Sequence, residues 1–156
     1  MECAGDQRRE GGWRALTITA AILEEIGRHV GRSLPYESGG ILVGSRVGDA
    51  LYADEFVPLE GASPSTHRYL ARATQATRAV LRADRAGKSV VATVHSHPDG
   101  AGEPSLADMQ NAYGYRDVLH IVVHFCHGAP VCRVYQYQRT KEGYRAQPAA
   151  LVVIAT

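Results

Sequence analysis

The chain has 156 residues, of which 45% are hydrophobic and 21% are charged, and its formal net charge at pH 7 is +1. These values are typical of one soluble globular domain and exclude a disordered or fibrous chain. Because the sequence has no basic stripe and no apolar run of about 18 residues, we expect neither a nucleic-acid partner nor a membrane span.

The chain is predicted to divide into a flexible leader and one domain. Residues 1–14 form the leader, and residues 15–156 contain no repeat or linker that would divide them further. The leader lacks the basic-then-apolar order of a signal peptide. Three cysteines, Cys3, Cys126 and Cys132, are too few for a disulfide scaffold. We therefore expect a cytoplasmic protein.

The first half of the domain is predicted to contain three strands and one helix. Its apolar residues alternate or recur at helical spacing in a strand over 15–19, a helix over 20–33 capped by Thr19, an apolar strand within 37–44 and a strand over 50–59. The turn 47–49 between the last two strands predicts a hairpin. A loop over 58–66 follows, because this segment is rich in serine, proline and glycine.

The second half continues the same mixture of elements. The patterns predict a helix over 73–86 ended by Gly87, a buried strand over 89–94, a helix of about ten residues after Ser105, strands over 118–125 and 131–138, and a short strand over 151–154. Because hairpins preclude an all-parallel sheet, the predicted fold class is α/β, with one mixed, curved sheet packed against helices.

A candidate metal site lies where the strand over 89–94 ends. His95 and His97 are two residues apart, so on a strand both imidazoles point to one face, and Pro98 then ends the strand pairing. Downstream, Ser105 is a good helix N-cap and Asp108 is an acid in the first helical turn, which a purely structural role also explains. Two imidazoles and one carboxylate leave the fourth tetrahedral position open, as in catalytic zinc sites.

A proton acceptor is needed beside such a metal. Glu37 is the candidate, although by itself it is simply an acid at the start of a strand. The two glycines that follow, Gly39 and Gly40, predict close packing of the backbone there. Ser105 has a possible second role as the hydroxyl that donates to a developing oxyanion.

Taken together, these residues resemble a known family. Glu37 before a Gly-Gly strand, His95-Ser-His97-Pro, and Ser105-Leu-Ala-Asp108 resemble the signature of the JAMM (MPN-plus) metalloproteases. The resemblance implies the JAB/MPN fold, a cytidine-deaminase-like three-layer sandwich. It also implies one Zn²⁺ per chain held by His95, His97 and Asp108, with Glu37 as general acid/base and Ser105 as the oxyanion-stabilising residue.

The resemblance also implies a class of substrate. Family members typically hydrolyse the amide, often an isopeptide, that follows the C-terminal tail of a ubiquitin-like protein. The compact chain is similar to the short prokaryotic type, so one hypothesis is deconjugation or precursor processing with conjugation-pathway partners, including an antiphage system. A second is removal of a cysteine or other adduct from a sulfur-carrier protein. A third is a general peptidase.

Alternatives from other classes stay open. RadC proteins, which are associated with DNA repair, have a similar motif, and family members without metal ligands are non-catalytic scaffolds. A second metal cluster of His124, Cys126, His127 and Cys132 is conceivable, but a packed, reduced pair of cysteines near each other is the simpler interpretation. Tyr113 and Tyr115 either border the active-site groove or pack elsewhere. The sequence does not predict an oligomeric state.

Overall fold

A computed structural model of the protein describes residues 12–112, 115 and 117–155. Most of the predicted leader, with Cys3, lies outside these residues, as does Tyr113. The described elements are β1 (Ala15–Thr19), α1 (Ala20–Arg32), β2 (Gly39–Val47), β3 (Ala50–Leu59), α2 (Ala73–Arg85), β4 (Ser89–His97), α3 (Leu106–Asn111), β5 (Leu119–Cys126), β6 (Ala129–Thr140) and β7 (Gly143–Ile154).

The strands form one closed sheet in the order β1-β3-β2-β4-β5-β6-β7, and β7 pairs back onto β1. The pairs β1–β3, β1–β7 and β4–β5 are parallel, whereas the other pairs are antiparallel. This confirms the predicted mixed α/β composition and both predicted hairpins. The closure itself was not predicted, and the three-layer sandwich is not established by this topology.

The helices form where the sequence predicts them. Thr19 caps α1, because its hydroxyl accepts a hydrogen bond from the Ile22 backbone N–H at 3.2 Å. The apolar residues of α1 point to one side, where Ile26 and Val30 are fully buried. Gly87 follows α2 with φ of +71°, the left-handed conformation that ends many helices. None of the described helices is long and apolar enough to cross a membrane.

The core lies on both faces of β2, because successive side chains of a strand point in opposite directions. Leu42 belongs to the larger apolar cluster, which contains the buried face of α1. Its neighbours Ile41 and Val43 belong to a smaller cluster with Ala79 and Ala83 of α2. The two longer helices therefore pack against opposite faces of this strand.

Several strands are longer than predicted, whereas α3 is shorter. β4 continues to His97, α3 ends already at Asn111, and β7 begins at Gly143 instead of residue 151. The extra part of β7 contains Pro148, which usually argues against a strand. Proline is accepted here because residues up to Ala149 pair only with β6, and β1 pairs with the strand from Ala150 onward.

Candidate metal centre and active-site cleft

The end of β4 holds both histidines on one face. Ser96 lies between them and is fully buried. Its Oγ accepts a hydrogen bond from the Ser38 N–H at 2.9 Å, and its own N–H donates to the Ser38 carbonyl at 2.8 Å. Because side chains alternate along a strand, burial of Ser96 on one side directs His95 and His97 to the other. The same two bonds hold the segment with Glu37 beside β4.

Asp108 reaches the histidines from the first turn of α3. The Asp108 N–H donates to the Ser105 Oγ at 3.1 Å, and the Ser105 N–H donates to Asp108 Oδ2 at 2.8 Å. This reciprocal pair is a capping box, so the predicted N-cap role of Ser105 is confirmed. The cap also fixes the direction in which the Asp108 carboxylate points.

Three ligand atoms converge in front of β4. His95 Nε2 lies 3.1 Å from His97 Nε2, and Asp108 Oδ2 lies 3.1 Å and 3.0 Å from the two nitrogens. Ligands bound at about 2.0–2.1 Å to a tetrahedral zinc are roughly 3.3 Å apart, close to these separations. The three side chains are also largely buried, with exposed fractions of 12%, 13% and 18%. The arrangement therefore fits a zinc ion with one open position.

Hydrogen bonds polarise the three candidate ligands. His97 Nδ1 lies 3.0 Å from the Ala101 carbonyl, which can only accept, so this nitrogen donates and Nε2 faces Asp108. The hydrogen bond with Asp108 raises the pKa of His97 above its usual value despite burial. Burial raises the pKa of Asp108, but bonds from His95, His97 and the Ser105 backbone outweigh it and hold that pKa well below its usual range.

Glu37 lies in the same cleft as the ligand atoms. Its backbone N–H donates to the Ser65 carbonyl at 2.8 Å, which ties it to the loop between β3 and α2. Its Oε2 is buried and has no hydrogen-bond partner in the described part of the chain. Burial raises the pKa of Glu37 to about 7, and Asp108 adds to the rise, while His97 opposes it. Such a carboxyl is suited to exchange protons near neutral pH.

The cleft has a volume of about 270 Å³, and its lining includes Glu37, His97, Ser105 and Asp108. Thr66 and His67 also line it, although the sequence pattern assigned them no role. They come from the loop between β3 and α2, far from the motif in sequence. No local pattern could have found them, because a long-range contact, the hydrogen bond from Glu37 to Ser65, places this loop beside the site.

A second depression of about 160 Å³ adjoins the site on the other side of Asp108 and is mainly apolar. His95 and Asp108 contribute to both the site and this groove. Tyr115 lines the groove and also packs against the smaller apolar cluster, so both alternatives left open for it hold. The other lining residues come mainly from β2, β4, α3 and the end of the loop before α2, and the apolar ones include Ile41, Leu59, Leu70, Ala76 and Val94.

The second conceivable metal cluster is not formed. Among the described residues, His95, His97 and Asp108 are the group whose ligand atoms lie close enough to share a metal. In the β5–β6 hairpin Cys132 is opposite Val123, whereas Cys126 is opposite Ala129. Both thiols are free. The expectation that the hairpin brings the two cysteines near each other is therefore wrong, because the register separates them along the strands.

Comparison with known proteins identifies the family to which the chain belongs. Residues 19–138 match a family model described as prokaryotic homologs of the JAB domain. The chain is also 32% identical, over 105 residues, to a Thermus thermophilus protein named "Probable TtuB-protein conjugate cleaving protease". That alignment covers 65% of this chain and 68% of the relative.

Two solution structures have the same fold at 23% identity. A Desulfitobacterium hafniense protein gives a TM-score of 0.75 and aligns with 90% of this chain and 94% of its own. A Salinibacter ruber protein gives 0.63, with 86% and 90% covered. At this identity the likeness concerns the fold alone. Since the family model spans most of the sequence, the chain belongs to the prokaryotic homologues of the JAB domain.

Proposed function

We propose that this protein is a zinc-dependent peptidase of the JAMM type that cleaves the amide bond after the C-terminal tail of a ubiquitin-like protein. The observation that carries the proposal is the convergence of His95 Nε2, His97 Nε2 and Asp108 Oδ2 within 3.1 Å of one another. The same cleft contains Glu37 and Ser105, which supply the two further groups that amide hydrolysis needs.

His95, His97 and Asp108 would hold the metal. A bound zinc ion supplies a Lewis acid for the substrate carbonyl and lowers the pKa of water toward neutrality. The carboxylate of Asp108 offsets part of the ion's charge, and the capping box keeps Oδ2 in position. Two imidazoles and one carboxylate are the donor set of hydrolytic zinc sites, which is why zinc is proposed. Iron and cobalt suit the same donors, and metal analysis distinguishes the three.

Glu37 would move the proton. As general base, its carboxylate takes a proton from the attacking water, and as general acid it passes that proton to the leaving amine. A carboxyl with a pKa of about 7 is deprotonated often enough to accept and is acidic enough to donate. The Glu37 side chain lines the polar cleft, where the attacking water would lie.

Ser105 would stabilise the negative charge that develops on the carbonyl oxygen. Its Oγ accepts the cap bond from Asp108, so its hydroxyl hydrogen is available to donate into the cleft that it lines. Capping and donation are compatible because they use different atoms of one hydroxyl. Loss of one such donor typically costs a factor of about 10²–10³ in kcat.

The two depressions suggest where each half of the substrate binds. The leaving amine must reach Glu37, which lines the polar cleft and not the apolar groove. The acyl side, which is the tail of the ubiquitin-like protein, would then lie in the apolar groove beyond Asp108. The name of the Thermus thermophilus relative supports this class of substrate, because it refers to cleavage of a TtuB-protein conjugate.

The first test is zinc content together with cleavage of a conjugate in which TtuB is joined to a protein lysine. We expect zinc in the wild type, its loss in His97→Ala, and loss of cleavage with retention of zinc in Glu37→Gln. Wild-type protein that stays free of zinc after reconstitution, or that carries zinc and releases nothing, would contradict the proposal.

A second substrate separates the hypotheses about the leaving group. TtuB that carries a single cysteine on its C-terminus presents an amino-acid leaving group with a carboxylate beside the scissile nitrogen. Among the described residues, Glu37 and Asp99 line the polar cleft beside the ligand Asp108, and no lysine or arginine does. We therefore expect release of protein lysine to be faster, because the cleft offers no such cation to pair with the carboxylate of the free amino acid, and Glu37 and Asp99 disfavour it.

A further inference from the structure

The loop between β4 and α3 is held in place by residues of β5 and β6. The Tyr135 hydroxyl, on β6, donates a hydrogen bond to the Gly102 carbonyl at 2.6 Å. Tyr135 is buried, with 5% of its surface exposed, and its backbone belongs to β6 of the sheet. The hydroxyl is therefore a fixed point to which the loop is attached.

Gly102 itself fits closely against β5 and β6. A Cβ at this position would lie 2.6 Å from His124 Cδ2 and 2.8 Å from Arg133 Cδ. Any side chain at residue 102 would therefore push the loop away from these two residues. The close contact at Gly102 and the hydrogen bond from Tyr135 together fix the distance between the loop and the sheet.

The loop in turn determines how His97 is oriented. The carbonyl of Ala101, the residue before Gly102, accepts the hydrogen bond from His97 Nδ1 at 3.0 Å. A displacement of Gly102 would move this carbonyl and weaken the bond. The imidazole would then be free to exchange its proton between the two nitrogens or to rotate away from Asp108.

We propose that Tyr135 is a positioning residue that acts through Gly102 and Ala101 to hold the His97 imidazole with its Nε2 turned toward His95 and Asp108. The proposal rests on the zinc site proposed above, but its first step concerns the imidazole alone. Outer groups that orient a metal-binding histidine typically contribute 10–100-fold to metal affinity. Tyr135 would do so without touching either the metal or the substrate.

The variant that tests this is Tyr135→Phe, which removes the hydroxyl and keeps the buried ring. Ser33→Ala is the control, because the Ser33 hydroxyl also donates to a backbone carbonyl, that of His29 at 3.0 Å, but does not support His97. Two quantities are measured in each protein. One is the orientation of the His97 imidazole after chelator treatment, from a crystal structure of each variant, and the other is the zinc dissociation constant by chelator competition.

We expect wild type and Ser33→Ala to keep the contact between His97 Nδ1 and the Ala101 carbonyl at 3.0 Å, and Tyr135→Phe to lose it, with the imidazole rotated or in more than one conformer. We also expect the zinc dissociation constant of Tyr135→Phe to rise by a factor of about 10 or more, with Ser33→Ala within about twofold of wild type. An unchanged orientation of His97 in Tyr135→Phe overturns the inference, whatever the zinc result. A changed orientation in a protein that binds no zinc supports the role of Tyr135 and contradicts the proposed function instead.

Discussion

Replacement of Gly39 by alanine tests how closely β2 must approach β4 beside the metal site. A Cβ at Gly39 would lie 1.9 Å from the Val94 carbonyl oxygen and 2.9 Å from His95 Cα. Ordinary contact begins near 3.4 Å, so the oxygen is too close by about 1.5 Å, the difference between 3.4 and 1.9. Both neighbours are backbone atoms, which cannot rotate away, so the strands themselves must separate.

The magnitude follows from the kind of strain. Overpacking that shifts backbone costs about 1–3 kcal/mol and occasionally more, and this overlap belongs at the upper end. We expect Gly39→Ala to lower the free energy of unfolding by about 3 kcal/mol, and the Tm by roughly 6–12 °C for a domain of this size. Because Gly39 is opposite His95 in the strand pairing, zinc affinity should fall as well.

Two other glycines provide controls. Gly44, in the same strand, would place a Cβ 1.7 Å from the Tyr52 carbonyl oxygen, but it pairs with Ser89 at the other end of β4. Gly44→Ala should therefore destabilise the fold similarly without weakening zinc binding in the fraction that stays folded. Gly31, in α1, has open space around it, so Gly31→Ala should stabilise by about 0.5–1 kcal/mol.

Urea denaturation of the chelator-treated proteins gives the three free energies, and chelator competition gives the zinc affinities. The reasoning is refuted if Gly39→Ala unfolds within about 0.5 kcal/mol of wild type. The link between Gly39 and the metal site is refuted if Gly44→Ala loses as much zinc affinity as Gly39→Ala.

Three more predictions concern a cap, a buried histidine and the thiols. Ser105→Gly should keep the free energy of unfolding within a few tenths of a kcal/mol of wild type, whereas Ser105→Ala should lower it by about 1 kcal/mol. Both variants should lower kcat by a factor of about 10²–10³ in the conjugate assay, and an active Ser105→Gly enzyme would exclude the oxyanion role. Burial, and secondarily His95, lowers the pKa of His120 to about 3, so the unfolded state binds this proton first and the free energy of unfolding falls as pH drops from 6.5 toward 3. In His120→Phe that fall, measured by urea denaturation, should be less steep by up to about 1.4 kcal/mol per pH unit. Equal slopes in the two proteins would contradict this. The exposed Cys126 should react with a thiol reagent much faster than Cys132, whose pKa burial raises to about 11. The rates are compared in Cys3→Ser and in the double variant Cys3→Ser/Cys126→Ser, which leaves Cys132 as the one thiol, and equal rates would show that Cys132 is accessible.

The candidate site could be predicted because each part of it has a local signal. Alternation along a strand places His95 and His97 on one face, and Ser96 between them is fully buried. The spacing of Ser105 and Asp108 predicts a helix cap, which is confirmed. Gly39 after Glu37 predicts close backbone packing, and the Val94 carbonyl leaves no room for a side chain there.

What could not be predicted depends on pairing between distant strands. Closure of the sheet needs β7 to lie beside β1, and nothing in either segment specifies this parallel partner. The register of the β5–β6 hairpin places Cys132 opposite Val123, and a shift of a few residues would have produced the expected cysteine pair. His67 lines the cleft from a loop whose Ser65 carbonyl accepts a hydrogen bond from Glu37, a contact that no local pattern specifies.

Ser105 and Asp108 show why a structural and a catalytic interpretation of the same residues need not compete. The Ser105 N–H that the cap satisfies donates to Asp108 Oδ2, the very oxygen that faces both imidazoles. The cap therefore holds the carboxylate in the direction that a metal at this site requires, before any metal binds. Preorganised ligands lose less conformational entropy on binding, so the capping box strengthens metal affinity as well as the helix. A substitution that breaks the cap should consequently weaken both, which a cap without function would not do.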